Sequence, residues 1–317
     1  MTRQLQFAGL LVITAAALVF APSGAYTATP QQTTSSPHFT SAPDQTPLTP
    51  EQVHDLVART IANQHRDDAA LDSFERLERH IERNGSPDGR ITEDRTYRVV
   101  PTGSGNLKLL VKDGDKLVSA ADYQRELGSW QDVLNVAVHP SDPRQVASLA
   151  KQQKKLKDRA RLVDSAFDAY LMTWIGREIL NGRTLEKLHF EPNPKYVPRG
   201  NNSDWLVHAR ATVWIDPQAA QVLHIEAEIV RDISIGAGIL GKVYRGGHFI
   251  LEQTEAAPGI WEPVLYEYDL TGRKFLFPFK MREMTQASRY RFVGSPEQAL
   301  ALARKDLSSG GAFISDP

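Results

Sequence analysis

The stretch Asp204–Asp232, DWLVHARATVWIDPQAAQVLHIEAEIVRD, decides how the rest of the chain is read. Trp205, Val207, Ala209, Ala211, Val213 and Ile215 alternate with Leu206, His208, Arg210, Thr212 and Trp214. Beyond the turn at Asp216-Pro217, Leu223, Ile225, Ala227 and Ile229 alternate with His224, Glu226 and Glu228. Period-two alternation places successive side chains on opposite faces, so the spacing predicts two long antiparallel strands with one buried face and one wet face. Long strands of this kind suit a barrel or half-barrel around a hydrophobic cavity.

Upstream of these strands, the first segment has the make-up of an export signal. Arg3 precedes an apolar run from Phe7 to Phe20, and Ser23-Gly24-Ala25 offers small residues to a peptidase, so cleavage near Ala25 is expected. The run is shorter than the roughly twenty residues a spanning helix needs. The chain has no cysteine, which excludes disulfides and a lipid-anchored amino terminus, so a large core must hold the fold. A net charge of −1 over 317 residues gives no reason to expect a nucleic-acid partner.

The expected organisation is a signal peptide over 1–25, a flexible Thr/Ser/Pro/Gln-rich linker over 26–49, a helical and hairpin region over 50–165, and an antiparallel sheet with a carboxy-terminal helix over 166–317. Thr49, Pro50 and Gln52 form a capping box, and Val53, Leu56, Val57 and Ile61 fall on one face of the helix that follows. Leu71 to Arg83 fits either a helical stripe or a strand, and the turn from Asn84 to Gly89 favours a hairpin. Ser119 caps a helix to about Val136, and Arg144 to about Ala169 reads as one charged helix. Asn181-Gly182 joins two strands, and further strands are expected over His248–Glu255, Ile260–Leu270, Arg273–Phe279 and Ser288–Val293. Ser295 opens a last helix. The class is α+β.

Phe190-Glu191-Pro192 with Pro194 and Tyr196, Val213-Trp214-Ile215-Asp216, Tyr244-Arg245-Gly246-Gly247, Trp261-Glu262-Pro263 and Ser288 to Phe292 follow one another in a familiar order. Through them the chain resembles the outer-membrane lipoprotein-sorting family, the LolA-like proteins, best from about Leu171 to Val293. Asp94-Arg95-Thr96-Tyr97 and Lys112-Asp113-Gly114 extend the resemblance more loosely. The resemblance implies a curved antiparallel β half-barrel with helices covering the concave face, and Leu71 to Arg83 as a strand. It further implies a periplasmic, non-catalytic carrier, or chaperone for transport to the outer membrane, whose cavity receives lipoprotein or lipid acyl chains. The alternative use of such a fold is an envelope stress sensor or protein-interaction module.

The cavity is expected to be lined by Trp205, Val207, Val213, Leu223, Ile225, Ile229, Ile239, Leu240, Phe249, Leu251, Trp261, Phe275 and Phe277, each of which equally suits a packed core. Ile233, Ile235, Ile239 and Leu240 around the glycines of Gly236-Ala237-Gly238-Ile239-Leu240-Gly241 read as an apolar lip. That segment matches G-x-G-x-x-G, but a strand rather than a helix follows it, which argues against nucleotide binding. His208, His224, Glu226 and Glu228 are read as solvent contacts on a wet face, with convergence on a metal as the alternative. Lys151, Lys154, Lys155, Lys157, Arg159 and Arg161 are read as a solvated helix face, with docking to anionic headgroups or an acidic partner as the alternative. No catalytic residue, cofactor or metal is expected. The expected partners are acyl chains and membrane lipoprotein-handling proteins, and the expected state is a monomer.

Overall fold

The computed structural model describes residues 37–85, 89–198, 205–235 and 239–308. The expected signal peptide, part of the expected linker, the tip of the first hairpin turn, residues 199–204 and Gly236–Gly238 lie outside the described residues. The strands are β1 Thr40–Ser41, β2 Phe74–Arg83, β3 Ile91–Pro101, β4 Asn106–Asp113, β5 Lys116–Leu117, β6 Tyr170–Leu180, β7 Arg183–Pro192, β8 Ala209–Asp216, β9 Gln221–Ile229, β10 Ile233–Ile235, β11 Gly241–Val243, β12 His248–Ala257, β13 Ile260–Lys274 and β14 Phe277–Phe292. The helices are α1 Pro50–Ala70, α2 Ala120–Ala137, α3 Pro143–Asp164, α4 Ala166–Ala169 and α5 Pro296–Ser308. The class is α+β with a large, unclosed antiparallel sheet, as the strand alternation indicates.

The chain divides into two compact units that are interleaved in sequence. The first comprises Met1–Arg66, Glu82–Thr92 and Ala160–Met284, and the second Asp67–Ile81, Glu93–Arg159 and Thr285–Pro317. In the first unit the strand order is β1-β6-β7-β8-β9-β12-β13. Asn181 and Gly182 take φ of 50° and 78° in the two-residue turn between β6 and β7, the left-handed pair that Asn-Gly accommodates. The main core packs Val53, Leu56 and Val57 of α1 against Leu188 and Phe190 of β7, Val213 and Ile215 of β8, Ile225 and Ile229 of β9, and Phe249 and Leu251 of β12.

Four differences from the sequence reading have physical causes. Trp205 and Val207 do not extend β8: a 3₁₀ turn at Leu206–His208 precedes it. The alternation breaks within β9, because Trp214 pairs with His224 and Ile215 with Val222, leaving Leu223 as the extra residue of a bulge. Val222 therefore joins the main core, and Leu223 joins Leu185, Trp214 and Trp261 on the opposite face. The charged helix ends at Asp164, and a separate turn, α4, leads into β6. Finally, β13 runs unbroken through Gly272, and the reversal comes at Phe275-Leu276. A Cβ at Gly272 would fall on the Lys242 carbonyl oxygen and the Phe279 ring, so glycine serves close packing there rather than a turn.

Part of the expected linker is also structured. Thr40 and Ser41 pair with Ile179 and Glu178 of β6, and Phe39 stacks on Trp214 at 4.9 Å. The face expected to be wet is thus covered at His224, which is 1% exposed and lies 5.0 Å from the Trp214 ring.

In the second unit the order is β14-β2-β3-β4-β5. Asp94 to Tyr97 and Lys112 to Gly114, separate motifs in the sequence, are here paired across β3 and β4, with the Gly114 amide donating to the Asp94 carbonyl at 2.7 Å. Tyr123, Leu127, Trp130 and Leu134 of α2 pack on Val100, Leu109 and Val111 and on Ala299, Leu300 and Ala303 of α5. Arg98, 1% exposed, donates to Glu75 at 2.9 Å and to the Tyr123 hydroxyl at 2.9 Å, and lies 2.6 Å from Asp306. Glu78 is clasped by Arg76 at 2.7 Å and Lys108 at 2.5 Å. Burial opposes its charge, but the two cations outweigh that cost and hold its carboxyl down to about 2. Along α3, Lys151, Lys154, Lys155 and Lys157 are exposed as a solvated face, whereas Arg159 turns inward to Asp68.

Candidate apolar ligand site

Within the first unit, α1 lies over the sheet. Its start is fixed by the expected capping box: the Thr49 amide donates to Gln52 Oε1 at 2.8 Å and the Gln52 amide to Thr49 Oγ1 at 3.3 Å. Helical spacing then brings Val57, Thr60, Ile61 and Gln64 onto the face toward the sheet. Opposite them stand Phe190 of β7, Val213 and Ile215 of β8 and Val222 of β9, with Val163 and Ala166 at one side. These ten side chains line a cavity of about 30 Å³, eight of them apolar and none ionisable.

The two polar side chains are satisfied. Thr60 Oγ1 donates to the Leu56 carbonyl at 2.9 Å, and Gln64 accepts from Gln253 Nε2 at 3.4 Å. A space that can hold a water but offers so few polar partners is a dry one. Ligand pockets of ordinary size are about 300–1,000 Å³, so this space of about 30 Å³ is small.

Besides the buried Gln64–Gln253 bond, polar contacts hold α1 at its edges. Asn63 Nδ2 donates to the carbonyls of Ala219 and Ala220, both at 3.0 Å. Arg66 donates to the Gly259 carbonyl at 2.7 Å, and His65 meets Asp164 at 2.8 Å. The helix is therefore latched by hydrogen bonds to the sheet turns and to α3, and seated beneath by apolar contacts and the Gln64–Gln253 bond.

The residues expected to line a cavity are divided by the bulge and the hairpins. Trp205, Val213, Ile225, Ile229, Phe249 and Leu251 belong to the main core on the α1 side, and Val213 alone of the thirteen borders the cavity. Leu223 and Trp261 pack on the opposite face, and Val207 is half-buried. Ile239, Leu240, Phe275 and Phe277 are exposed. The sequence reading missed Phe190, Ile215, Val222, Val163 and Ala166 as lining residues. The α1 stripe of Val57 and Ile61 was the available signal.

His224, Glu226 and Glu228 do not converge. His224 sits 3.2 Å from Glu226 and 3.6 Å from Glu252, while Glu228 pairs with Arg210 at 2.7 Å. Burial disfavours the imidazolium, but the two carboxylates outweigh it and raise its pKa. Among the described residues, no three His, Asp or Glu side chains are grouped to hold a metal ion. Among the same residues no helix is long and apolar enough to cross a membrane.

No family model matches the chain, and no curated protein matches it. Among solved structures it is similar to a Vibrio parahaemolyticus domain described as outer membrane lipoprotein-sorting, at 12% identity over 74% of this chain and 93% of that one, with a TM-score of 0.29. A LolA superfamily protein from Nitrosomonas europaea matches at 10% identity over 78% and 96%, also with a TM-score of 0.29. A DUF1329 family protein from Desulfovibrio piger matches at 12% identity over 76% and 93%, with a TM-score of 0.25. Two of these three carry the name of the family the sequence resembles. Likeness at such scores carries no argument about function.

Proposed function

We propose that the first unit is a non-catalytic binder of acyl chains, taking up the lipid tail of a lipoprotein or a free lipid between α1 and the β7–β9 face. The observation that supports this reading is a small space with a mostly apolar lining and no ionisable group, beneath a helix held to the sheet face by apolar contacts, by the Gln64–Gln253 hydrogen bond and by polar contacts at its edges. An incoming acyl chain replaces the apolar contacts that α1 gives up, at about 0.8 kcal/mol for each buried methylene. The exchange of one apolar partner for another costs little, so the hydrogen bonds of α1, the buried Gln64–Gln253 bond included, set most of the energy of opening. No charged group stands in the way, and no bond need be made or broken.

With the export signal expected near Ala25, the setting is the periplasm and the role is that of a carrier. The partners would be membrane proteins that hand over or receive acylated cargo. The test is displacement of a fluorescent long-chain fatty acid by an acylated peptide and by the same peptide without its acyl chain. Displacement by the acylated form alone, and loss of probe binding in Ile61→Trp, which fills the space from the helix side, are the expected results. Equal displacement by both peptides, or full binding in Ile61→Trp, would refute the proposal.

A further inference from the structure

The arm formed by residues 37–45 makes contacts that the cavity does not use. Thr40 and Ser41 add to the outer edge of β6 opposite Ile179 and Glu178, and the Ala42 amide donates to the Arg177 carbonyl at 3.0 Å. Phe39 enters an aromatic slot, stacked on Trp214 at 4.9 Å and edge-on to His224 at 5.3 Å. Further along, Asp44 meets the Arg177 guanidinium at 2.8 Å. Main-chain pairing at an edge, with side-chain contacts for specificity, is how a sheet takes up an extended peptide.

The slot is oriented without the arm. Trp214 Nε1 donates to Glu178 at 2.7 Å, and Arg177 Nε donates to Glu186 at 2.7 Å. His224 is held between Glu226 at 3.2 Å and Glu252 at 3.6 Å. All of these partners stand on β6 to β9 and β12, so the sheet itself sets the geometry. A receptor preorganised in this way spends little of its binding energy on ordering.

The arm, by contrast, is lightly held. Its strand is two residues long, Ala42 is its one buried residue, and Phe39 is half-buried. Main-chain pairing breaks off after Ala42. The Arg177 amide donates instead to Gln45 Oε1 at 3.0 Å, and Gln45 Nε2 donates to the Arg177 and Ala42 carbonyls, both at 2.8 Å. A side chain thus stands where a strand would continue. Beyond it, the outer edge of residues 170–175 has no strand partner among the described residues, and Leu171 and Ile175 are exposed. That stretch carries neither charge nor proline, the residues that usually blunt an open edge.

We infer that the outer edge of β6, with the Trp214–His224 slot and Arg177, is a β-addition site for an extended peptide carrying an aromatic residue followed by a carboxylate, and that residues 37–45 compete for it in cis. The arm seated in the site displays the chemistry that such a partner must match. Residues 46–49 tether the arm to α1, so it competes at an effective concentration of roughly 1 mM, and a partner gains the edge when the arm leaves. The site shares no residue with the cavity lining, and peptide capture there goes beyond the acyl-binding proposal.

The test is fluorescence anisotropy of a labelled peptide with the sequence of residues 37–46, titrated with the full chain. Phe39→Ser together with Asp44→Ala strips the arm of its two side-chain anchors, and Ala42→Pro, as a separate variant, removes its amide donor. Both leave the slot intact, and either should bind the peptide about tenfold more tightly than the unchanged chain, because apparent affinity follows the fraction of open sites. A peptide carrying Phe39→Ser should lose about tenfold in affinity, and so should one N-methylated at the Ala42 amide, which keeps every side chain but cannot pair as a strand. No binding to either opened chain, or equal binding by the altered and unaltered peptides, overturns the inference. Equal binding by opened and unchanged chains overturns the competition in cis. Adding Ile61→Trp should leave peptide binding intact, which separates failure here from failure of the acyl-binding reading.

Discussion

Asn63→Ala should weaken the protein and tighten its grip on an acyl ligand at the same time. The side chain donates twice from α1 to the β8–β9 turn, to the Ala219 and Ala220 carbonyls, and both bonds must break for the helix to lift. Each such bond is worth about 0.5–1.5 kcal/mol net, and the site is half-buried, so hydration of the released carbonyls keeps the total near 1–2 kcal/mol. That amount raises the population of the lifted state about 5- to 30-fold. If the lifted state is the one that accepts ligand, apparent affinity rises by the same factor, because it is limited by the competent fraction. Titration of a fluorescent long-chain fatty acid reads affinity, and urea unfolding reads stability. Affinity that stays level or falls along with stability would refute the latch.

Other residues give independent checks. Glu78, held down to about 2 by Arg76 and Lys108, contributes stability that is complete above its ordinary value of 4.5 and is lost as the pH falls toward 2. Urea midpoints taken between pH 6 and pH 2.5 should show that loss, and Glu78→Gln, which takes the carboxylate away from the buried Arg76 and the half-buried Lys108, should cost about 3 kcal/mol at neutral pH. His224, with its pKa raised, contributes stability that is complete below about 6.5 and is lost as the pH rises through its folded value. Its imidazole titration by NMR should therefore lie above that of an exposed histidine, and a titration below it would contradict the paired geometry. Thr49→Ala removes a cap bond at the start of α1 and should lower stability by about 1 kcal/mol in thermal unfolding.

Local chemistry made much of this fold legible. The α1 start, the Asn181-Gly182 turn and the Ser119 cap follow from residue types whose preferences act over three or four positions. What escaped depended on tertiary pairing. Period-two alternation assigns Leu223 to the α1 side, and only the pairing of Ile215 with Val222 shows that a bulge has moved it across the sheet. His224 reads as a solvent-facing residue until Phe39, nearly two hundred positions away, is seen to cover its neighbour Trp214. Gly272 looks like a turn residue, and its reason is the close approach of β11. The apolar site was legible as a composition of sheet and helix faces, but its extent was not, because how completely α1 fills the space is a matter of side-chain fit rather than pattern.

The central claim, that the space under α1 takes an acyl chain, is tested most directly by native mass spectrometry of the chain beginning at Tyr26, before and after delipidation. The account expects an added mass in the acyl-lipid range that is lost on extraction, returns when diacyl lipid is supplied, and is absent from Ile61→Trp. A single bare mass that added lipid leaves unchanged would mean that α1 stays packed on the sheet, and would contradict the account.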